Sequence, residues 1–140
     1  MNDMEYVTEN QEQTQKIGEE LATRLRGGEV VLLYGELGAG KTTFSKGLAF
    51  GLGVRETVTS PTFTLMNSYD SGRLKLYHFD MYRLTEGSDV DYGFEEYYGE
   101  SGSVCLIEWS VATEYYGAKV ITVKIDYLSE SKRKIVIEGI

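Results

Sequence analysis

One cysteine, one proline, one tryptophan and one histidine among 140 residues exclude several kinds of chemistry at the outset. The lone thiol, Cys105, cannot form an internal disulfide, and its place in the apolar run Val104 to Trp109 suits a reduced core residue. No zinc cluster, Ser-His-Asp order or cysteine nucleophile can be assembled from this inventory. Basic charge is scarce too. Fourteen Lys plus Arg stand against 22 Asp plus Glu, a net charge of -8, so the surface on balance repels phosphate backbones and tight RNA binding by this chain alone is not expected. No apolar stretch reaches the length of a membrane span, and the N-terminus is acidic and polar, unlike a signal peptide; these features fit a cytoplasmic protein. The length suits one domain, residues 1–140, with roughly two thirds of the unfolded surface buried.

Glycine, in contrast, is abundant, with 16 residues. Six positions after an apolar run begins, Gly35-Glu36-Leu37-Gly38-Ala39-Gly40-Lys41-Thr42 matches the phosphate-cradling pattern G-x-x-x-x-G-K-[ST]. Its glycines let successive backbone N-H groups face phosphates, Lys41 reaches the β and γ oxygens, and the Thr42 hydroxyl ligates Mg²⁺. The context supports the motif. Glu29 to Tyr34 has the continuous apolarity of a buried parallel strand, while Phe44, Leu48 and Leu52 repeat at helical spacing before a capping Gly53. A helix starting near Lys41 points its positive dipole end at the same anion.

The rest of the chain predicts an α/β fold of phosphate-loop type, three-layered, with a mixed sheet of parallel core strands and antiparallel hairpin strands. Met4 to Thr8 reads as a short strand, and Thr14, Ile17, Leu21 and Leu25 mark a helix stopped by Gly27-Gly28. The only proline, Pro61, biases Ser60 toward an extended conformation in a segment too polar for a core strand. Phe63 to Tyr69 and Leu74 to Phe79 flank the turn Asp70-Ser71-Gly72-Arg73 as a hairpin. Val104 to Ile107 suits a second parallel core strand, and Val120 to Ile125 with Lys134 to Ile137 suit an antiparallel pair at a sheet edge. The acidic, tyrosine-rich stretch from Glu86 to Gly102 matches no pattern.

A phosphate loop needs a carboxylate at a neighbouring strand end. Asp80 and Glu108 compete. Asp80 ends an alternating run that reads as half exposed, whereas Glu108 ends a wholly apolar one, so Glu108 is assigned the metal and Asp80 the attacking water near the γ-phosphate. His78, between Tyr77 and Phe79, reads on its own as a hydrogen-bonded strand residue, and Trp109 as core. Neither an Asn-Lys-x-Asp base-reading motif nor an Asp-x-x-Gly switch is present, which argues against a GTPase. A small-molecule kinase remains an alternative, as does a non-enzymatic interaction module gated by nucleotide.

Four strings, Gly35 to Thr43, Ser60-Pro61-Thr62-Phe63, His78-x-Asp80-x-Tyr82-Arg83 and Glu108-Trp109, occur together in one order. With them the chain resembles the bacterial TsaE family along nearly its whole length. The resemblance implies a Mg²⁺-dependent ATPase, weakly active alone, that works with the proteins TsaB and TsaD in making N6-threonylcarbamoyladenosine at position 37 of tRNAs reading codons that begin with A. ATP hydrolysis is expected to reset that complex, and tRNA to be met only through it. It further implies that Gly38, Ala39, Gly40, Lys41, Thr42 and Thr43 bind phosphates, that Thr42 and Glu108 ligate Mg²⁺, that Asp80 and Thr62 lie near the γ-phosphate, and that Trp109 sits beside the nucleotide. Thr14 and Arg133 are candidates for framing the adenine. The segments around Ser60 and His78 are expected to act as switches that order around the γ-phosphate.

Overall fold

The unbroken apolar run in front of the glycine loop can only be buried on both faces, and the computed structural model, which describes residues 3–36, 38–61 and 63–140, places it at the centre of a sheet. In chain order the elements are β1 (Met4–Thr8), α1 (Gln11–Ala22), β2 (Val30–Tyr34), α2 (Lys41–Gly51), β3 (Met66–Tyr69), β4 (Lys75–Asp80), β5 (Ser103–Glu108), β6 (Val120–Tyr127) and β7 (Arg133–Glu138). Two short 3-10 turns, Ser88–Tyr92 and Phe94–Tyr97, lie between β4 and β5. The strand order is β1-β7-β6-β2-β5-β4-β3. Strands β2, β4, β5 and β6 run parallel to their neighbours in the centre, while β1, β7 and β3 are antiparallel additions.

The pleat sorts the side chains into two cores. Val31 and Leu33 of β2 join Leu21 of α1 and Phe44 and Leu48 of α2 on one face. Val30 and Leu32 point the other way, into a cluster with Phe79, Ile107, Phe94 and Tyr98. Each such fully buried Leu or Phe contributes roughly 1.5–3 kcal/mol. The third layer is therefore made of the acidic, tyrosine-rich stretch: its 3-10 turns turn Phe94 edge-on to Phe79, with ring centroids 5.0 Å apart. Its apolar groups are interspersed with glycines and acids, so no helical or alternating period shows in the sequence.

Three expectations need correction. The first hairpin strand begins at Met66, not Phe63, because Leu65 takes a left-handed φ of 67° and its N-H bonds the Pro61 carbonyl, closing a turn. Strand β4 is buried from Leu76 to Phe79 instead of half exposed, since β3 and β5 flank it and both faces are covered. Strands β6 and β7 are interior, with β1 forming the edge beyond β7.

Helices α1 and α2 meet backbone to backbone. A Cβ at Gly47 would stand 2.0 Å from the Gln15 carbonyl oxygen, and one at Gly18 would stand 2.5 Å from the Phe44 carbonyl oxygen. The helix behind the phosphate loop is thus pinned to α1, whose N-terminus borders the cleft described below. Gly47→Ala is expected to destabilise the fold by about 3 kcal/mol or more, because backbone must move to admit a methyl group. Urea denaturation checks this; a midpoint equal to that of the parent would contradict the helix contact.

Candidate functional site

All the parallel strands end on one side of the sheet, and a cleft of about 840 Å³ opens there. The glycine loop lies in its middle. Gly38 and Gly40 have φ of 81° and 107°, a conformation that a residue with a Cβ adopts only under strain. Gly40 is also the N-cap of α2, with no side chain bonded to the first turn and no acidic residue in it, so the helix presents its N-H groups and positive dipole end to the cleft. Lys41, Thr42 and Thr43 line the cleft directly after it, and Ala39 is buried behind.

Lys41 is 6% exposed, and its Nζ has no hydrogen-bond partner. The ammonium instead lies 3.9 Å from the centroid of the Trp109 ring. Burial pulls its pKa below the usual lysine value, against the opposing pull of Glu108, Asp80 and Glu36. A buried cation left without hydrogen bonds, at the N-terminus of a helix that no side chain caps, has the chemistry of an anion receptor.

Asp80 and Glu108 are register partners at the ends of β4 and β5. Both line the cleft. The assignment of different tasks to them cannot rest on strand exposure, given that β4 is buried. Their hydrogen bonds do separate them. Glu108, 5% exposed, holds His78 Nε2 with Oε2 at 2.7 Å, which orients one carboxylate oxygen and leaves the other. Asp80 is more exposed and accepts the Tyr82 N-H at 3.0 Å through Oδ1. His78 is therefore a buried strand residue whose partner is a cleft carboxylate, a link its position between two aromatics gave no sign of.

Trp109 follows Glu108 with a left-handed φ of 56°, a strained value for a bulky residue, and Tyr82 meets its ring edge-on at 5.0 Å. The turn out of β5 thus aims the indole back at Lys41.

Thr14 and Arg133 line the same cleft, both next to Gly40. The Thr14 hydroxyl pairs with that of Thr8 at 2.7 Å. Arg133 serves the loop itself: its Nε donates to the Ala39 carbonyl at 2.8 Å and an Nη donates to the Ser129 carbonyl at 2.6 Å, while the guanidinium stacks on Tyr127. The structure therefore gives Arg133 the task of bracing the glycine loop from behind, in addition to lining the cleft. Thr62 lies outside the described residues. Asn10, the N-cap of α1, and Gln11, Glu12, Glu130 and Ser131 also line the cleft; only the fold reveals their place there. Among the described residues no group of three His, Cys, Asp or Glu side chains is placed to hold a metal alone.

Sheet order, glycine loop and strand-end carboxylates together define an α/β domain of the phosphate-loop fold. Comparison with known proteins narrows the class. The model of the family "Threonylcarbamoyl adenosine biosynthesis protein TsaE" matches residues 8–135. The tRNA threonylcarbamoyladenosine biosynthesis protein TsaE of Bacillus subtilis is 46% identical over 110 residues, covering 79% of this chain and 68% of the relative. That of Treponema pallidum is 43% identical over 137 residues, covering 96% and 99%. The crystal structure of YdiB from Bacillus subtilis superposes with a TM-score of 0.81 at 36% identity, covering 97% of this chain and 84% of the other. The chain belongs to the TsaE family.

Since burial disfavours the charged Lys41, its contribution to stability is least favourable at pH values below its lowered pKa and improves as pH rises toward the ordinary lysine range. Lys41→Met is therefore expected to raise stability measured without nucleotide by roughly 1 kcal/mol, by replacing a buried charge with an apolar group. The anion-receptor geometry predicts that saturating ATP raises the melting temperature of the parent and that the variant shows no such rise. Thermal denaturation with and without ATP measures both; a variant less stable than the parent in the absence of nucleotide would contradict the site's electrostatics.

Proposed function

We propose that this chain is a Mg²⁺-dependent ATPase that serves the synthesis of N6-threonylcarbamoyladenosine at position 37 of tRNAs reading codons that begin with A, acting together with TsaB and TsaD proteins. The observation that carries the reading is the buried, unpartnered Lys41 ammonium beside the N-terminus of α2, facing two strand-end carboxylates. Family membership supplies the biological setting.

The residues present fit both groups. The Ala39 N-H closes the loop on the Glu36 carbonyl, and the other backbone N-H groups from Gly38 to Thr43 with the Lys41 ammonium suit a triphosphate. The Thr42 hydroxyl and the free oxygen of Glu108 suit Mg²⁺, which takes one or two protein ligands and fills its octahedron with phosphate oxygens and water. Bound there, Mg²⁺ would neutralise charge on the phosphates. Lys41 leaves the Trp109 ring to pair with the β and γ oxygens. Asp80, at the neighbouring strand end, orients the attacking water and accepts its proton. His78 holds the Glu108 carboxylate in one rotamer. Thr62 is assigned to the γ-phosphate on family grounds, and Thr14 and Arg133, which line the cleft beside Gly40, to the adenine. The strained turns at Leu65 and Trp109 border the segments that would rearrange when the γ-phosphate departs.

Direct RNA binding does not fit the surface. The one local run of basic residues, Lys132 to Lys134, is offset by neighbouring acids: Lys132 lies 3.5 Å from Glu9 and Lys134 3.7 Å from Glu5, while Arg133 braces the glycine loop. The tRNA contacts are assigned to the partner proteins.

Two outcomes are expected. Glu108→Gln weakens the dependence of hydrolysis on Mg²⁺ more than Asp80→Asn does, whereas Asp80→Asn spares nucleotide binding and slows the chemical step by about 100-fold or more. Phosphate release measured across a Mg²⁺ titration decides between these roles, and the opposite ordering would exchange the two carboxylates. Titration of labelled tRNA at near-physiological salt is expected to show no micromolar binding to the isolated chain; tight binding would overturn the assignment of RNA to the partners.

A further inference from the structure

Charge balance at the γ-phosphate end of the cleft points to a role for Arg83, which ends the string from His78 and has been given no task above. Two carboxylates, Asp80 and Glu108, stand there, and a triphosphate would add further negative charge to them. The cations available are few. Lys41 serves the β and γ oxygens, and Arg133 is committed to the Ala39 and Ser129 carbonyls on the far side of the loop. The remaining basic side chain lining the cleft is Arg83, three residues after Asp80.

Arg83 is exposed, and among the described residues it forms neither an ion pair nor a hydrogen bond, although Asp80 and Glu108 line the same cleft. Its guanidinium lies 5.0 Å over the ring of Phe63 instead. Phe63 is itself 83% exposed, so it is held by no core packing. A solvated cation–π contact of this kind is worth only about 0.5–1 kcal/mol, far less than pairing with a phosphate that gains charge on its oxygens in the transition state. The backbone around the pair is tied to the site: the Asp80 N-H bonds the Leu65 carbonyl, and the Tyr82 N-H bonds Asp80 Oδ1.

We propose that Arg83 is a catalytic residue of the hydrolysis, an arginine that stabilises the transferring phosphoryl group in cis, and that Phe63 is its resting position. The inference rests on the ATPase reading. In the step it serves, a water oxygen forms a bond to the γ-phosphorus, the bond from that phosphorus to the bridging oxygen breaks, and the electron pair stays on the bridging oxygen of ADP. The proton leaves the water for Asp80 and passes on to the released phosphate. Arg83 transfers no proton; it keeps its charge and donates N-H groups to the equatorial oxygens as their charge rises. Because Phe63 stands at the surface, anything that covers its ring frees the guanidinium for the cleft, which couples the outside of the molecule to the rate of hydrolysis.

Single-turnover hydrolysis of γ-labelled ATP by excess protein, together with equilibrium binding of ADP and of ADP with aluminium fluoride, tests this on the parent, R83A, R83K, F63L and K41A. R83A is expected to lower the rate by about 10³-fold while binding ADP as the parent does. It should also lose at least about 100-fold in affinity for ADP with aluminium fluoride, which mimics the planar phosphoryl group. R83K should recover little, since an ammonium cannot make the forked contact. F63L should hydrolyse faster than the parent. An R83A rate equal to the parent's, or a loss of ADP affinity as large as the loss of aluminium fluoride affinity, would overturn the catalytic role. A slower F63L would overturn the resting contact. Equal phosphate release by the parent and K41A would instead overturn the ATPase reading, and the role of Arg83 with it.

Discussion

A lysine ammonium buried without a hydrogen-bond partner is the constraint around which this molecule is arranged. Burying such a charge is unfavourable, and the surroundings of Lys41 compensate only partly: an indole face at 3.9 Å and the carboxylates of Glu108, Asp80 and Glu36 at a distance. What would complete the compensation is an anion with several oxygens, delivered to the N-terminus of α2. The left-handed turns that glycine permits at 38 and 40, the strained left-handed Trp109 and the brace from Arg133 all hold this one cation and the N-H groups beside it in position. Stability is given up locally so that an anion finds its receptor already built.

The sheet makes that arrangement possible. Parallel pairing of β2, β5 and β4 brings three strand ends to one edge, so that the glycine loop, Glu108 and Asp80 arrive together although Gly35 and Glu108 are 73 positions apart in the chain. Antiparallel β6 and β7 carry Arg133 to the same edge from the other side. Backbone contact between Gly47 and Gln15 then locks α2 against α1, which lines the far end of the cleft. A displacement of either helix would be felt at the phosphate loop.

Much of this was legible in the chain. The strand and helix around the glycine loop, the parallel strand at Val104 to Ile107 and the pair of strand-end carboxylates follow from apolar runs and spacing alone. What escaped did so for physical reasons. The third layer is built from 3-10 turns that bury single aromatics such as Phe94 between acids, so it carries no period. Strand β4 alternates in sequence yet is covered on both faces, because Tyr77 and His78 are buried through an aromatic contact and a carboxylate partner respectively. Arg133 reads as one of three adjacent basic residues; only the register of β7 against β1 and the turn from 128 to 132 shows that its guanidinium faces the loop backbone.

The cleft's central claim is that it recognises phosphate charge through Lys41 and the loop, with the base contributing less. Isothermal titration of the chain with ATP, ADP and adenosine in the presence of Mg²⁺ measures this directly. One site per chain is expected, with ATP and ADP binding at least about 100-fold more tightly than adenosine, the loss of roughly 3 kcal/mol or more that removal of charge-assisted hydrogen bonds entails. Adenosine binding as tightly as ATP would contradict the claim, because the unpartnered ammonium would then have no part in recognition.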